Sequence, residues 1–118
     1  MQSPEVTQAT NQLLEALRGT DDFIRYSALK ASVMADDVNR RLLERFTRVQ
    51  TALQMAALAG SEPRPEDASD YERLSALLYE SEELTEYLLS QMRVQQLVAS
   101  TMERLTHEVG LDIELPEM

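Results

Sequence analysis

The chain has 118 residues, among them a single histidine, His107, and no cysteine. Disulfides, thiolate metal sites and cysteine nucleophiles are therefore excluded, and one imidazole cannot supply histidine pairs or a catalytic triad. Glu103 precedes His107 by one helical turn, but two ligands make a poor metal site. We expect His107 to interact with the negative end of a helix dipole, and phosphotransfer to its imidazole is the alternative.

Carboxylates are most concentrated between residues 80 and 86, where four glutamates occur within seven positions. They do not follow the spacing of a calcium-binding loop, so we interpret them as the solvated first turn of a helix. Each of the three glycines follows a helical segment, which leaves no glycine-rich phosphate loop. The sequence therefore predicts no catalytic residue, no metal and no cofactor.

One basic patch is present, formed by Arg40, Arg41, Arg45 and Arg48 on a helical segment. These side chains could contact RNA phosphates, but the net charge of −10 repels nucleic acid at long range. Residues 61–118 carry four basic and fourteen acidic side chains. We therefore expect the arginines to form ion pairs with acidic residues, with a direct RNA-binding module as the alternative.

Composition points to a helical protein, with few glycines and many leucines, alanines and glutamates. No apolar run approaches the roughly 20 residues that span a bilayer, and the first residues lack the pattern of a signal peptide. We expect a cytoplasmic protein that makes no contact with a membrane. The expected organisation is one helical domain over residues 1–110, followed by an acidic and apolar C-terminal tail over 111–118.

Capping residues and hydrophobic periodicity predict an all-α fold of five helices. The helices are expected at 4–18, from Thr20 to about 35, from Asp36 to Gly60, from the capping box Ser69-x-x-Glu72, and from Ser81 to Gly110. Helices three and five are the long ones, and we expect them to form an antiparallel, hairpin-like bundle.

At 1.5 Å per residue these two helices reach roughly 35 and 42 Å, which is longer than the other helices can cover. Part of the apolar seam should therefore be buried by another chain, most simply in a homodimer. Glutamines within the seam would fix the register, since a buried amide needs a hydrogen-bond partner. The predicted association surface consists of Phe46, Val49, Leu53, Gln91, Gln95, Val98 and Met102.

Several short motifs occur in a characteristic order: Phe23-Ile24-Arg25-Tyr26, Asp36-Asp37-Val38, Leu42-Leu43-Glu44-Arg45-Phe46, Gln50, Leu53-Gln54, Gly60 and Tyr87-Leu88. Their order and spacing resemble the YlbF/YmcA family, which includes YheA-like proteins and is of bacterial origin. The match extends over nearly the whole chain, and none of its motifs is a catalytic signature.

This resemblance implies a small helical regulatory adaptor that self-associates, binds other regulatory proteins and catalyses no reaction. In Firmicutes, YlbF and YmcA join a third protein, YaaT, in a complex linked to competence, sporulation, biofilm formation and mRNA maturation by RNase Y. That complex is associated with iron–sulfur clusters held by cysteines, a feature that this cysteine-free chain cannot reproduce. The resemblance is therefore nearest to the YheA branch.

Overall fold

The computed structural model describes residues 3–110 and shows five helices and no strand in that range. Their bounds are α1 Pro4–Arg18, α2 Asp21–Ala35, α3 Asp37–Leu58, α4 Pro65–Glu80 and α5 Glu82–Glu108. The predicted all-α class and the five-helix count are confirmed. The predicted tail over 111–118 lies outside the described residues.

Short polar side chains begin three of the helices, as the sequence predicts. The Phe23 N–H donates to Thr20 Oγ1 over 3.3 Å, the Asn39 N–H to Asp36 Oδ1 over 3.0 Å, and the Leu84 N–H to Ser81 Oγ over 3.2 Å. Each bond satisfies a backbone donor that has no partner within its helix.

The first helix begins where expected, and Ser3 occupies its N-cap position. The Ser3 hydroxyl donates to Glu5 Oε2 over 2.6 Å and leaves the backbone amides without a side-chain cap from Ser3. This hydrogen bond lowers the pKa of the Glu5 carboxyl and so favours a negative charge at the positive end of the α1 dipole.

The start of α4 differs from the prediction. The helix begins at Pro65, so that Ser69 and Glu72 lie inside it and do not form a capping box. Proline suits the first helical position because its φ is already helical and its missing N–H would have no partner there. Glu66 and Asp67 lie in the first turn, where their negative charges interact favourably with the positive end of the helix dipole.

The chain divides into two compact units, which we call the central unit, residues 29–87, and the terminal unit, described over residues 3–28 and 88–110. That residues 1–110 form one domain stays a prediction. Six apolar side chains are buried in the described residues, and every one of them lies in the central unit: Val33, Leu43, Leu74, Leu78, Leu84 and Tyr87.

Within the central unit, α3 and α4 pack closely as a helical hairpin. Phe46 on α3 stacks on Tyr71 of α4, with ring centroids 5.4 Å apart and an interplanar angle of 27°. The sequence predicted that helices three and five would form the hairpin, whereas the described hairpin pairs α3 with α4. The connection from Ala59 to Arg64 is short, which brings consecutive helices together as antiparallel neighbours.

The turn that ends α3 depends on a glycine. Gly60 has a φ of +69°, and the backbone N–H groups of Gly60 and Ser61 donate to Ala57 O and Ala56 O at 3.2 and 2.9 Å. This pair of bonds is a Schellman motif, in which the left-handed residue is almost always glycine because a Cβ is strained there.

We predict that Gly60→Ala lowers the free energy of unfolding by about 1 kcal/mol, because alanine is strained at positive φ. Gly19→Ala is the matched control, since Gly19 follows α1 with a φ of −86° and an added Cβ would meet only ordinary contacts. Urea denaturation of both variants tests this. Equal stability of the two would contradict the assigned role of Gly60.

Candidate protein-interaction surfaces

The three predicted association residues on α3 are engaged in the central unit. Phe46 is half-buried against Tyr71, Val49 borders a depression beside Leu74 on α4, and Leu53 is half-buried. The α3–α4 hairpin therefore partly buries the apolar face of α3 that was predicted to bind another chain.

The four predicted association residues on α5 lie in the terminal unit and are more exposed to solvent than those on α3. Gln91 is half-buried and Gln95 is exposed, while Val98 and Met102 retain 38% and 45% of their accessible surface. The structure thus places the predicted surface in two units. That all seven residues form one association surface stays a prediction.

The exposed apolar face of α5 continues beyond the predicted residues to the end of the helix. Leu105 is 48% exposed and Val109, just past the helix end, is 71% exposed. Steps of four, three and four residues keep these side chains on one side of a helix. We call Val98, Met102, Leu105 and Val109 the α5 stripe.

The same face of α5 is buried where the helix begins. Leu84 and Tyr87 are 0% and 4% exposed, and helical spacing places them in line with the α5 stripe. The apolar residues of this face are therefore buried at the start of α5 and exposed at its end, with Gln91 and Gln95 between them. The apolar periodicity of the sequence extends to Leu105 and Val109, but the predicted association surface ended at Met102.

The first helix adds further apolar surface that the site prediction missed. No residue of α1 is buried, and Val6 and Leu14 are 61% and 41% exposed. Among the described residues of the terminal unit only Ser90 is buried. This unit therefore presents amphipathic helices without an apolar core of its own.

Of the four arginines expected to form ion pairs with acidic residues, only Arg40 does so within residues 3–110, which divides the predicted basic patch into two parts. Arg40 binds Asp37 at 2.9 Å and approaches Glu44 at 3.9 Å, so its charge is balanced on its own helix. Arg41, Arg45 and Arg48 are exposed, and among the described residues none of them has a carboxylate within ion-pair distance. We call these three residues the arginine strip.

A shallow depression of about 110 Å³ lies beside the arginine strip at the α3–α4 junction. Arg45 and Arg48 form one side, Val49 and Leu74 contribute apolar surface, and Asp70 completes the rim. The Asp70 carboxylate already accepts a hydrogen bond from Arg73 over 2.9 Å. The depression therefore combines two unpaired cations with an apolar floor.

His107 lies exposed in the last turn of α5, as predicted for a residue that faces the negative end of a helix dipole. In residues 3–110 no three carboxylates or histidines are grouped closely enough to hold a metal ion. Glu82 and Glu83 occupy the first turn of α5, and within that same range Glu83 Oε1 is buried without a hydrogen-bond partner.

Comparison with known proteins places this arrangement in a family. Residues 6–110 match the family model described as "Control of competence regulator ComK, YlbF/YmcA". The chain belongs to the YlbF/YmcA family. This match confirms the resemblance drawn from the motif order, and it covers all five helices apart from the first two residues of α1.

Within the YlbF/YmcA family the chain is similar to YheA-like proteins. It is 31% identical to the UPF0342 protein YheA of Bacillus subtilis over 73% of this chain and 74% of that protein. It is 28% identical to a UPF0342 protein of Bacillus velezensis over 76% and 78% of the two chains. The name of neither protein refers to a reaction.

A solved structure supports the fold independently. The chain superposes on a protein of unknown function (DUF964) from Bacillus stearothermophilus with a TM-score of 0.74 and 16% identity. The alignment covers 89% of this chain and 92% of the other. Separately, no helix among residues 3–110 is both long enough and apolar enough to cross a membrane.

We predict that Phe46→Ala reduces the free energy of unfolding by about 2 kcal/mol, because it removes a half-buried ring and its contact with Tyr71. Met55→Ala, at a 61% exposed position on the same helix, should have little effect. Urea denaturation measures the stability of both variants, and sedimentation measures their association. Loss of association without loss of stability would instead place Phe46 between subunits.

Proposed function

We propose that this chain is a non-enzymatic regulatory adaptor that acts in the bacterial cytoplasm by binding other regulatory proteins and a second copy of itself. The observation that carries this proposal is the α5 stripe, an apolar helix face left uncovered in the terminal unit. Membership of a family described by control of a competence regulator supports a regulatory role.

The stripe is suited to protein binding on energetic grounds. Complete burial of one valine, leucine or methionine side chain contributes about 1.5–3 kcal/mol relative to exposure. Four such side chains on one helix face favour docking of another amphipathic helix, and the equivalent stripe of a second copy supplies the simplest complementary surface. A twofold dimer in which two α5 helices pair would bury both stripes at once.

Catalysis by the described residues has no comparable support. Ionisable groups do not converge in the depression beside the arginine strip, where two arginines face one aspartate that is already paired. His107 is followed by Glu108, whose charge disfavours a phosphoryl group on the imidazole. The phosphotransfer alternative therefore gains nothing from the structure. The net charge of −10 disfavours the RNA-binding alternative.

We predict that Val98→Glu weakens self-association at least tenfold, because a buried carboxylate without a partner opposes docking of the stripe. Val38→Glu is the matched control, since Val38 is 74% exposed in the central unit. Sedimentation velocity over a range of concentrations measures both variants, and circular dichroism checks that they remain helical. A wild-type chain that stays monomeric throughout would exclude the dimer.

The adaptor role requires a separate experiment. Wild-type protein and the Val98→Glu and Val38→Glu variants serve as bait in a native bacterial lysate, and mass spectrometry compares the captured proteins. We expect the same regulatory partners with wild type and Val38→Glu, and their loss with Val98→Glu. Identical capture by all three would show that the stripe does not bind partners.

The two glutamines in line with the stripe give a further prediction. Gln91→Leu with Gln95→Leu should raise the thermal midpoint, since in the proposed dimer apolar side chains would replace buried amides that need hydrogen-bond partners. The same change should broaden the distribution of oligomers, because polar groups within an apolar seam specify register. Native mass spectrometry measures that distribution, and an unchanged one would exclude a register role.

A further inference from the structure

The arginine strip carries positive charge that the described part of the chain does not balance. Arg41, Arg45 and Arg48 are separated by steps of four and three residues, so they follow one side of α3 over about 10 Å. Glu44 lies within four positions of all three, but the arginine that it approaches is Arg40, at 3.9 Å. Three adjacent guanidinium groups therefore face solvent, and all of them lie in the central unit.

The depression beside the strip adds an apolar contact to this charge. The last two arginines of the strip form one side of it, while Val49 and Leu74 offer contact to one aliphatic side chain. Asp70 on the rim is paired with Arg73 at 2.9 Å, which offsets its negative charge. A complementary ligand therefore presents carboxylates and one aliphatic group on the same side.

An amphipathic helix meets this requirement. Side chains spaced by four and three residues lie on one side of a helix, and their axial separations of about 6 and 4.5 Å equal those of the arginines. Helices packed at a crossing angle of about 20° keep such positions facing each other over about 10 Å. A guanidinium group binds a carboxylate through two parallel hydrogen bonds, which favours one register of the two helices.

Nucleic acid fits the same surface less well. A strand carries phosphates without interruption, whereas the strip is preceded by the exposed Asp36 and is followed by no lysine or arginine until Arg64. The nearby rings of Phe46 and Tyr71 stack on each other and are half-buried, which leaves them poorly placed to stack on bases. The strip therefore matches a short run of negative charge better than a polyanion.

We propose that the arginine strip and its depression bind an acidic amphipathic helix of a partner protein, whose carboxylates are spaced by four and three residues beside an aliphatic residue. Charge complementarity carries this choice of partner, because the described part of the chain places no carboxylate within ion-pair distance of the strip. The site consists of residues of the central unit alone and shares none with the α5 stripe. It gives the proposed adaptor a second docking site of different chemistry.

Titration with a synthetic helical peptide tests this proposal in the full-length chain. The probe is a lactam-stapled helix with three glutamates at this spacing and a leucine on the same face. Its control has the same composition, with the glutamates distributed around the helix. In spectra of the isotopically labelled protein, we expect the first peptide to shift the amide resonances of residues 41–49 and 70–74. Equal shifts with both peptides, or no shift at these residues, would overturn the proposal.

Two variants with the same change in net charge separate local contact from general electrostatics. Arg45→Gln with Arg48→Gln should weaken binding of the probe about tenfold, since it removes two ion pairs. Arg40→Gln with Arg64→Gln changes arginines that already pair with carboxylates and should leave the affinity unchanged. Fluorescence anisotropy of the labelled probe measures both variants, and equal affinities of the two would contradict the assigned site.

A charge exchange controls for loss of folding. Arg45→Glu with Arg48→Glu should abolish binding of the probe and should gain binding of a peptide in which lysines replace the glutamates. The Val98→Glu variant, which alters the α5 stripe, should bind the probe as the wild type does. Failure of the stripe and failure of the strip are thereby observed separately.

Two other occupants of the strip are outcomes of the same experiments. Single-stranded RNA that binds more tightly than the probe, and is released by Arg45→Glu with Arg48→Glu, would assign the strip to nucleic acid and overturn the proposal. Resonances of residues 41–49 that shift with protein concentration alone would identify a second copy as the occupant and would also overturn it.

Discussion

Apolar side chains recur along one face of α5, interrupted by Gln91 and Gln95, but their burial decreases towards the end of the helix. Leu84 and Tyr87 are shielded from water at the start of the helix, whereas Met102 and Leu105 remain about half exposed towards its end. Exposed apolar area raises the free energy of the chain in water roughly in proportion to its size. The interactions proposed for this protein follow from that imbalance, since a second polypeptide can remove the remaining area from water.

The central unit has an apolar core, which the described part of the terminal unit lacks. Its helices bury six apolar side chains, and the short connection between α3 and α4 holds the Phe46 and Tyr71 rings in contact. The Schellman turn at Gly60 and the proline at the start of α4 define this connection by local means. The helix that carries the arginine strip is thus held by packing against α4.

Features that depend on neighbouring residues could be predicted from the sequence. Asp36 and Ser81 begin helices because their side chains bond amides three residues later, and Gly60 ends one because it tolerates positive φ. The predicted start of α4 was wrong because two local signals competed: proline at the first helical position outweighed the capping box at Ser69. Local chemistry thus accounts for both the correct and the incorrect helix bounds.

Features that depend on distant residues could not be predicted in this way. Phe46 stacks on a ring 25 positions later, which periodicity on α3 cannot show. Arg40 looked equivalent to Arg41 until the structure showed its pairing with Asp37 and Glu44. The apolar repeat of α5 was visible in the sequence, but how much of it the chain itself covers is a property of the tertiary structure.

Amide hydrogen exchange at several protein concentrations tests the central claim most directly. If a second chain covers the α5 stripe, protection of the amides of residues 98–108 should increase with concentration, while protection in the α3–α4 hairpin stays constant. Exchange in residues 98–108 that is independent of concentration would contradict this account, because it would show that the exposed face of α5 remains in water.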